Sequence, residues 1–429
     1  MKHLLLVILF CVASSTIISQ PKSGETKPSI KKEALPIKPA AYRTEVYLPL
    51  LKGKRVGIFA NHTATIGERH LVDTLFTLGV KITKAFGPEH GFRGEADAGE
   101  KIENYRDPYT GIPVISLYGK KRKPSAEDLA DVDVLLFDIQ DVGTRFYTYI
   151  SSLQEFMDAA FEYGKPLMIL DRPNPNGFYV DGPILDTAYK SFVGMQPIPI
   201  VYGMTMGEYA MMLAGEKRLS PAANERHEYY KRASNSRDTL FHFQIIKNEH
   251  YDHTSKYVLP IKPSPNLPDM ASIYWYASTC FFEGTVLSEG RGTNHPFAVF
   301  GHPFLPKNMY AFTPTSREGA KEPKLKDRQC YGWNLYGTNE EVLKKIDGKI
   351  QLKYILEAYK LFPDKENFFI KPKSEKPTDY FFNKLAGSDA LMNQIKAGKT
   401  EKEIRESWAP GIAEFKKIRK KYLLYRDFE

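Results

Sequence analysis

The feature that most constrains the fold is a regular alternation of short apolar runs with amphipathic stretches, which begins at Arg55. Between the runs, Leu71 and Leu75 share one helical face, and so do Leu153 and Met157. Strands that alternate with helices in this way are typical of a largely parallel sheet covered on both faces. The sequence therefore predicts an α/β domain whose strands are the apolar runs 55–60, 80–86, 113–117, 133–137 and 166–170.

The residue composition of the chain changes at the turn-rich segment PSPNLP, residues 263–268. After it, aromatic residues, glycine and proline dominate to about residue 340. A chain of 429 residues is long enough for two domains. We therefore expect the α/β domain over residues 41–265 and a smaller α+β domain over residues 266–429.

The N-terminus has the pattern of a secretory signal peptide. A short positive region precedes an apolar run that is too short to span a bilayer, and small residues follow it. We expect a signal peptide over residues 1–19 and an exported protein, either periplasmic or secreted. Cys11 suggests a lipid anchor as an alternative, but Phe10 stands where a lipoprotein signal carries a small residue. Residues 20–40 are rich in proline and lysine, which predicts a flexible lead-in.

The composition is that of a globular protein and indicates no nucleic-acid-binding function. The chain is 42% hydrophobic and 26% charged, as globular proteins are, and its net charge of +9 is scattered. The densest basic run, residues 416–421, is typical of a terminal helix with a solvated basic face. No segment resembles a nucleic-acid-binding module, so no nucleic-acid partner is expected. After signal cleavage only Cys280 and Cys330 remain, and we expect two buried thiols rather than a disulfide scaffold.

Polar residues follow the predicted strands at the end where a parallel sheet binds its ligands. In an open parallel sheet, that place is the crevice beyond the carboxyl ends of the strands. Arg172 and Asn174 continue the polar segment after the fifth run. The polar residues that follow four of the runs are therefore expected to meet on one rim: Asn61, Glu89, Asp138 and Asp171.

The segment GPEHGFRGEADAGE, residues 87–100, is the strongest candidate for chemistry. Its charges could not be buried without partners, whereas loops on a rigid scaffold often carry function. Glu89 is the first candidate, with His90 beside it for substrate binding. Two carboxyl groups that flank a bond can hydrolyse a glycoside, one as acid and the other as base, nucleophile or electrostatic stabiliser. Asp138 and Asp141 are the candidates for the second carboxyl; the structural alternatives are a loop residue that caps backbone N–H groups and a surface charge, respectively.

Arginines and aromatic residues in the polar loops are candidates for substrate binding. Arg93, Arg145 and Arg291 lie near glycines, where a guanidinium could clamp a carboxylate, although a structural salt bridge is the alternative for at least one of them. Tyr147 offers an apolar face to a sugar ring. The second polar loop, within residues 280–297, contributes Glu283, Glu289, Arg291, Asn294 and His295.

Other reaction classes lack their motifs. The chain has no P-loop, no GxGxxG turn after the first strand and no GxSxG elbow, so nucleotide-binding and serine-hydrolase functions are not indicated. A scattered set of residues could hold a metal, namely His62, His90, Glu89 and Asp138. No HxH or HExxH spacing supports such a site, and we expect neither a metal nor a cofactor.

Six segments, taken together and in this order, resemble one protein family. They are GPEHGFRGEADAG, FDIQDVGTRFYTY, LDRPNPNG with VDGPILD, SFVGMQPIPIVYGMTMGEYA, PSPNLPD and CFFEGTVLSEGRGT. Over residues 45–429 the chain is similar to the exported exo-β-N-acetylmuramidases of bacterial peptidoglycan recycling, formerly a family of unknown function. Each segment alone is a weak signal, but six in the same order are specific.

The resemblance implies a Rossmann-like catalytic domain without a dinucleotide and a smaller C-terminal domain. It also implies hydrolysis of β-1,4-linked N-acetylmuramic acid (MurNAc) from the non-reducing end of peptidoglycan fragments, with Glu89 of the EHG motif as the catalytic glutamate. The lactyl carboxylate of MurNAc would give an arginine something to bind, and its acetamido group could itself be the nucleophile. The alternatives are release of a MurNAc-containing disaccharide, a metal-dependent wall hydrolase and a non-catalytic muropeptide-binding protein.

Overall fold

The computed structural model describes residues 35–94, 103–233 and 242–429. The predicted signal peptide and most of the predicted lead-in lie outside the described residues. So do the last acids of the first polar loop, Glu95, Asp97 and Glu100.

The N-terminal boundary of the fold differs from the expected one. The folded unit covers Ile37–Glu429, so the last residues of the expected lead-in belong to the fold. Lys38 and Glu249 exchange backbone hydrogen bonds of 3.0 and 2.9 Å. Ala40 is fully buried, and its N–H donates to the carbonyl of Asp171 at 3.0 Å. This short apolar segment stays packed beside the sheet because its backbone N–H and C=O groups form hydrogen bonds there.

Within the described ranges, the strands form a seven-stranded sheet, a three-stranded sheet and a two-stranded ribbon. In chain order the strands of the described residues are β1 (Arg55–Ala60), β2 (Thr65–Ile66), β3 (Arg69–His70), β4 (Lys81–Gly87), β5 (Tyr105–Arg106), β6 (Pro113–Ser116), β7 (Val134–Asp138), β8 (Leu167–Leu170), β9 (Phe243–Ile246), β10 (Val299–His302), β11 (Tyr310–Phe312) and β12 (Cys330–Asn334).

The helices lie between the strands in the first half of the chain and dominate its last third. In chain order the α-helices of the described residues are α1 (Thr44–Leu51), α2 (Leu71–Thr77), α3 (Tyr149–Glu162), α4 (Met206–Gly215), α5 (Pro221–Ala233), α6 (Met270–Thr279), α7 (Asn339–Ile346), α8 (Lys353–Leu361), α9 (Phe381–Ala386), α10 (Ala390–Lys396) and α11 (Glu401–Lys420).

The large sheet has the strand order β5-β6-β4-β1-β7-β8-β9, and only the edge pair of β5 with β6 is antiparallel. The five strands predicted from apolar runs are β1, β4, β6, β7 and β8, and their bounds agree with the prediction to within one residue at each end. The largely parallel sheet is therefore confirmed. The edge strand β9 was not predicted, because its four residues FQII are too short and too mixed to form an apolar run.

Helices cover both faces of this sheet. Successive residues of β7 point to opposite sides, as strand geometry requires. Leu135 and Phe137 belong to the core that contains α3, whereas Val134 and Leu136 belong to the core that contains α2. The continuous apolar runs in the sequence therefore reflect burial on both faces.

The second part of the chain forms a smaller α+β region around an antiparallel sheet of order β10-β12-β11. Trp275 of α6 is fully buried there, and its indole N–H donates to the carbonyl of Leu335 at 3.0 Å. Its ring meets that of Tyr354 from α8 edge to face, with centroids 5.5 Å apart. The predicted smaller domain is thus present, and its first residue stays a prediction.

The C-terminal helix α11 forms as predicted, but its basic face is not all solvated. Arg419 is buried, with its Nε donating to the carbonyl of Gly203 at 2.8 Å and its guanidinium paired with Asp427 at 2.7 Å. A buried guanidinium needs such partners, and the hydrogen bond to Gly203 ties the helix to the first half of the chain.

The two cysteines and the hydrophobicity of the helices complete the description of the fold. Cys280 and Cys330 are both buried free thiols. Within the described residues, no helix combines the length and the apolar character needed to cross a bilayer.

Candidate active site

A cavity of about 290 Å³ opens where the carboxyl ends of β4 and β6, the first turn of α3 and the second part of the chain meet. Its charged wall consists of Glu89, Arg122, Glu283 and Arg291. Its aromatic wall consists of Tyr118, Phe146, Tyr147, Tyr149, Phe192, Tyr276, Phe297 and Phe381. A concave site with an apolar lining and a few polar groups is the usual form of a small-ligand site.

The loop after β4 turns sharply and presents Glu89 to the cavity. His90 and Gly91 both have left-handed backbone conformations, with φ of 68° and 79°, and the N–H of Gly91 donates to the carbonyl of Pro88 at 3.0 Å. A histidine in that region is uncommon, and such conformations cluster at functional sites. His90, a predicted substrate-binding residue, lines the cavity beside Glu89.

Tyr118 holds the carboxylate of Glu89. Strands β4 and β6 pair in parallel with Gly87 opposite Ser116, so the residues two positions later, Glu89 and Tyr118, emerge side by side. The hydroxyl of Tyr118 donates to Oε1 of Glu89 at 2.9 Å. Burial and the charge of Glu89 raise the pKa of Tyr118, with the guanidinium of Arg122 acting in the opposite direction. Tyr118 is therefore a neutral hydrogen-bond donor at any physiological pH.

The turn before α3 and the first residue of that helix supply part of the aromatic wall, namely Phe146, Tyr147 and Tyr149. The hydroxyl of Tyr147 donates to the carbonyl of Pro263 at 2.9 Å, and its ring meets that of Tyr149 edge to face, with centroids 4.7 Å apart. Asn61 lies behind this wall and not in it, because its amide Nδ2 donates to the hydroxyl of Tyr149 at 2.8 Å. The structure thus brings Tyr147 to the cavity and gives Asn61 a supporting position.

The second part of the chain contributes an ion-paired cluster. Nη2 of Arg291 lies 2.5 Å from Oε1 of Glu283, and its Nε lies 3.3 Å from Oε1 of Glu289. Glu289 also pairs with Lys324 at 2.8 Å. Burial alone would lower the pKa of Arg291, but the two carboxylates raise it above its usual value. Glu283 and Arg291 line the cavity, whereas Glu289 stands behind them.

Asp138, a predicted partner of Glu89, does not line the cavity. It is the last residue of β7 and fully buried, and its carboxylate makes a bidentate ion pair with Arg172 at 2.5 and 2.8 Å. Nη2 of Arg172 also donates to the carbonyl of Thr65 at 3.1 Å. Asp138 and Arg172 therefore form a closed pair below the rim, and Asp138 receives a guanidinium rather than the backbone N–H groups of the structural alternative.

Asp141, the other predicted partner, is also away from the cavity, and it is not the surface charge of the alternative interpretation. Its Oδ2 accepts hydrogen bonds from the N–H of Gly143 at 2.6 Å and from the hydroxyl of Tyr202 at 2.5 Å. Burial raises the pKa of Asp141 to about 6, against the effect of these donors. Its Oδ1 is buried without a hydrogen-bond partner among the described residues.

Asp171 and Asn174 hold neighbouring segments together. Oδ1 of Asp171 accepts from the N–H of Gly207 at 2.8 Å, and its Oδ2 accepts from the hydroxyls of Thr205 and Tyr425, both at 2.7 Å. Burial raises the pKa of Asp171 to about 7. The amide of Asn174 donates to the carbonyl of Met204 at 2.8 Å. Neither residue lines the cavity, so the predicted convergence of four polar clusters on one open site is only partly realised.

Two of the three predicted arginines serve the fold. Arg93 is clamped by Asp73 and Asp107 at 2.7 and 2.8 Å. Arg145 is fully buried, and burial lowers its pKa to about 9. Its guanidinium donates to four backbone carbonyls, those of Pro183, Ile198, Leu385 and Ala386. Arg291 is the predicted arginine that reaches the cavity.

The sequence analysis assigned no role to several charged or polar cavity residues, of which Tyr118, Arg122 and Glu283 matter most for the chemistry. Tyr118 gave no signal, because its link to Glu89 depends on strand register. Arg122 lies in the basic run 120–123, which is typical of a solvated surface. Glu283 lay in the second polar loop but was not singled out. Within the described ranges, no three His, Cys, Asp or Glu side chains are grouped in a way that could hold a metal ion.

Two protein-family models match the chain. The model described as exo-beta-N-acetylmuramidase NamZ, N-terminal, matches residues 56–271, and its C-terminal counterpart matches residues 274–425. The peptidoglycan beta-N-acetylmuramidase NamZ of Bacillus subtilis (strain 168) is 38% identical over 394 residues, which are 88% of this chain and 89% of that protein.

Two crystal structures of DUF1343 family proteins from Bacteroides fragilis NCTC 9343 are similar to this structure. One is 43% identical with a TM-score of 0.79, and the match covers 92% of this chain and 100% of that chain. The other is 27% identical with a TM-score of 0.71, and the match covers 91% of this chain and 99% of that chain. The similarity therefore spans both parts of the fold that build the cavity.

Proposed function

Because the chain belongs to the exo-β-N-acetylmuramidase NamZ family, we propose that it is an exo-acting glycoside hydrolase that releases MurNAc from the non-reducing end of peptidoglycan fragments. The observation that carries the chemical part of this proposal is the cavity that Glu89 and Glu283 share. Most glycoside hydrolases use two such groups around the scissile bond.

Glu89 is the general acid of the proposed reaction. Its proton goes to the glycosidic oxygen as the bond between that oxygen and C1 of MurNAc breaks. Water supplies the hydroxyl that ends on C1 and the proton that restores Glu89. The hydrogen bond from Tyr118 to Oε1 orients the carboxyl group, so Tyr118 is a positioning residue.

Glu283 is the second carboxylate of the proposal, in place of Asp138 and Asp141. The transition state of glycoside hydrolysis carries positive charge on the sugar ring, and a nearby carboxylate stabilises that charge. Glu283 lines the cavity and is held in place by Arg291, whereas the two aspartates are buried elsewhere with their own partners.

The dimensions of the cavity favour exo action. A volume of about 290 Å³ lies at the small end of ligand sites and accommodates a single terminal sugar rather than a long glycan strand. Tyr147 and Tyr276 give the wall aromatic faces of the kind that pack on sugar rings. Export of the protein is part of the proposal, supported by the signal-peptide pattern of residues 1–19.

Product analysis with two matched substrates tests this function. One defined glycan fragment begins at its non-reducing end with MurNAc, and the other begins with GlcNAc. We expect free MurNAc from the first fragment and no cleavage of the second, with the same rate in the presence of EDTA, as followed by liquid chromatography with mass spectrometry.

The other outcomes each point to a different function. A MurNAc-containing disaccharide as the first product would replace monosaccharide release. Cleavage lost in EDTA and restored by a divalent metal would indicate a metal-dependent hydrolase. Binding of both fragments without any cleavage would indicate a glycan-binding protein.

A further inference from the structure

We propose that Arg122 recognises the lactyl carboxylate of the terminal MurNAc, and so makes the cavity selective for MurNAc over sugars without that group. This inference rests on the proposed function and names the residue that reads the substrate. MurNAc differs from GlcNAc by the lactyl ether, whose carboxylate is negatively charged at neutral pH. A cavity that selects MurNAc therefore needs a cation that is available to an anion.

The three arginines that the sequence suggests as carboxylate ligands already have anionic or carbonyl partners. Arg93 is clamped by two aspartates, and Nη1 and Nη2 of the buried Arg145 donate to four backbone carbonyls. Arg291 lines the cavity but is paired with Glu283 and Glu289, so its charge is neutralised. Each would have to give up a partner to bind a substrate carboxylate.

Arg122 differs because it lines the cavity, is exposed and has no carboxylate within ion-pair distance among the described residues. Its neighbours in the basic run are engaged outside the cavity, Lys121 with Asp128 and Lys123 with Glu162. Arg122 is thus the residue of this run that lines the cavity, and it does so without an ion-pair partner among the described residues.

The guanidinium of Arg122 is pre-oriented by an aromatic platform. Its central carbon lies 3.9 Å from the ring centroid of Phe192. The platform is anchored, because the carbonyl of Phe192 accepts a hydrogen bond from the hydroxyl of Ser151 in α3 at 2.8 Å. Stacking uses the face of the guanidinium and leaves the N–H groups on its edge for bidentate binding of a carboxylate.

The same loop connects recognition to catalysis. Tyr118, which orients Glu89, and Arg122 are four residues apart in the loop after β6. A substrate carboxylate bound to Arg122 would therefore fix the sugar relative to the catalytic carboxyl. The selectivity of the site depends on this loop and not on the two predicted arginines that serve the fold.

A substrate pair that differs only in the lactyl charge tests the proposal. One substrate is 4-nitrophenyl β-MurNAc, and the other is its lactyl methyl ester, which keeps the shape and removes the charge. We measure kcat/KM on both for the wild-type protein and for Arg122→Gln. Lys121→Gln is the matched control, since it removes the same charge one residue away from the cavity.

We expect the wild-type protein and Lys121→Gln to prefer the free carboxylate by roughly 10- to 100-fold, mainly through KM, as charge-assisted hydrogen bonds provide. Arg122→Gln should hydrolyse both substrates at about the rate of the wild-type protein on the ester. An Arg122→Gln protein that keeps the wild-type preference would overturn the assignment.

A binding experiment separates failure of this inference from failure of the proposed function. If the wild-type protein hydrolyses neither substrate, the proposed function fails, and Arg122 is then judged by calorimetric binding of methyl β-MurNAc and its lactyl methyl ester. Loss of charge selectivity in Arg122→Gln supports the recognition role even then. Equal selectivity in the variant and the wild-type protein, or none in either, refutes it.

Discussion

The carboxyl ends of the central strands carry two regions with similar sequence signals and different structures. In the open rim, formed by the loops after β4 and β6, Glu89 faces a cavity and is oriented by a tyrosine hydroxyl. In the covered rim, after β7 and β8, Asp138 is sealed by a bidentate ion pair with Arg172. The two regions differ in what lies above them, because Thr65 of β2 and Tyr425 of the segment after α11 close over the second region. A strand-end carboxylate is therefore a catalytic candidate only where no other segment lies above it.

The substitution Glu89→Gln tests whether the carboxyl group in the open rim is the catalytic acid. The amide keeps the shape of the side chain but cannot deliver a proton, so we expect kcat on an aryl β-MurNAc to fall roughly 100- to 10,000-fold. The midpoint of thermal unfolding should stay within a few degrees, because Glu89 is only half-buried. Steady-state kinetics over a range of substrate concentrations give kcat, and a thermal melt gives the midpoint of unfolding. Activity above a few per cent of the wild-type value would remove Glu89 from the acid role.

The opposite pattern is expected for Asp138→Asn in the covered rim. The substitution leaves the buried guanidinium of Arg172 without its counter-charge, which destabilises proteins by about 3–5 kcal/mol. We expect the free energy of unfolding in urea to fall by that amount, while kcat of the folded fraction stays near the wild-type value. If kcat falls as far as in Glu89→Gln with unchanged stability, the two regions have been assigned the wrong way round.

Much of the fold could be predicted from sequence, because its signals are local. The five central strands are continuous apolar runs, and the turn at His90 and Gly91 follows one of them directly. The position of Glu89 at the cavity follows from the same local pattern. These features depend on where the strands lie in the sequence and on their burial, both of which the length and composition of the apolar runs indicate.

The rest of the site depends on contacts between distant segments, which a single sequence does not show. Asp138 and Glu89 both follow strands, and only the tertiary contact of Arg172 with Asp138 separates their roles. Arg145 belongs to a polar loop in the sequence, but its side chain is buried and donates to carbonyls as far away in the chain as those of Pro183 and Ala386. Arg122 and Lys121 are adjacent in a basic run, yet one reaches the cavity and the other pairs with Asp128.

The pH dependence of the free energy of unfolding tests whether the carboxyl group of Asp141 in the covered rim is buried. Burial raises the pKa of Asp141 to about 6, so between its unfolded pKa near 4 and pH 6 the folded protein binds more protons than the unfolded chain. The free energy of unfolding must then fall as pH rises through this window. In Asp141→Asn we expect that fall to shrink by about 3 kcal/mol, leaving the variant more stable than the wild-type protein above pH 6.

The structure explains why the asparagine should fit. An amide oxygen can accept the hydrogen bonds from Gly143 and Tyr202, and the amide nitrogen takes the place of the unpartnered Oδ1. Asp171, whose pKa is raised to about 7 by burial, contributes a fall of the same sign up to that pH. The difference between the urea-unfolding curves of variant and wild-type protein across pH therefore isolates Asp141. Identical pH profiles would contradict the buried, shifted carboxyl.

Two substitutions that each remove one tyrosine hydroxyl distinguish a hydroxyl that orients the catalytic carboxyl from one that stabilises the fold. Tyr118→Phe leaves Glu89 in the cavity without the donor to its Oε1, so we expect kcat to fall about 10-fold with KM and stability nearly unchanged. Tyr202→Phe removes a donor from the buried Asp141, so we expect a loss of about 1–3 kcal/mol in stability with kcat unchanged. A structural role for Tyr118 would lower stability without changing kcat, and equal effects of the two substitutions would mean that the open and covered regions act as one unit.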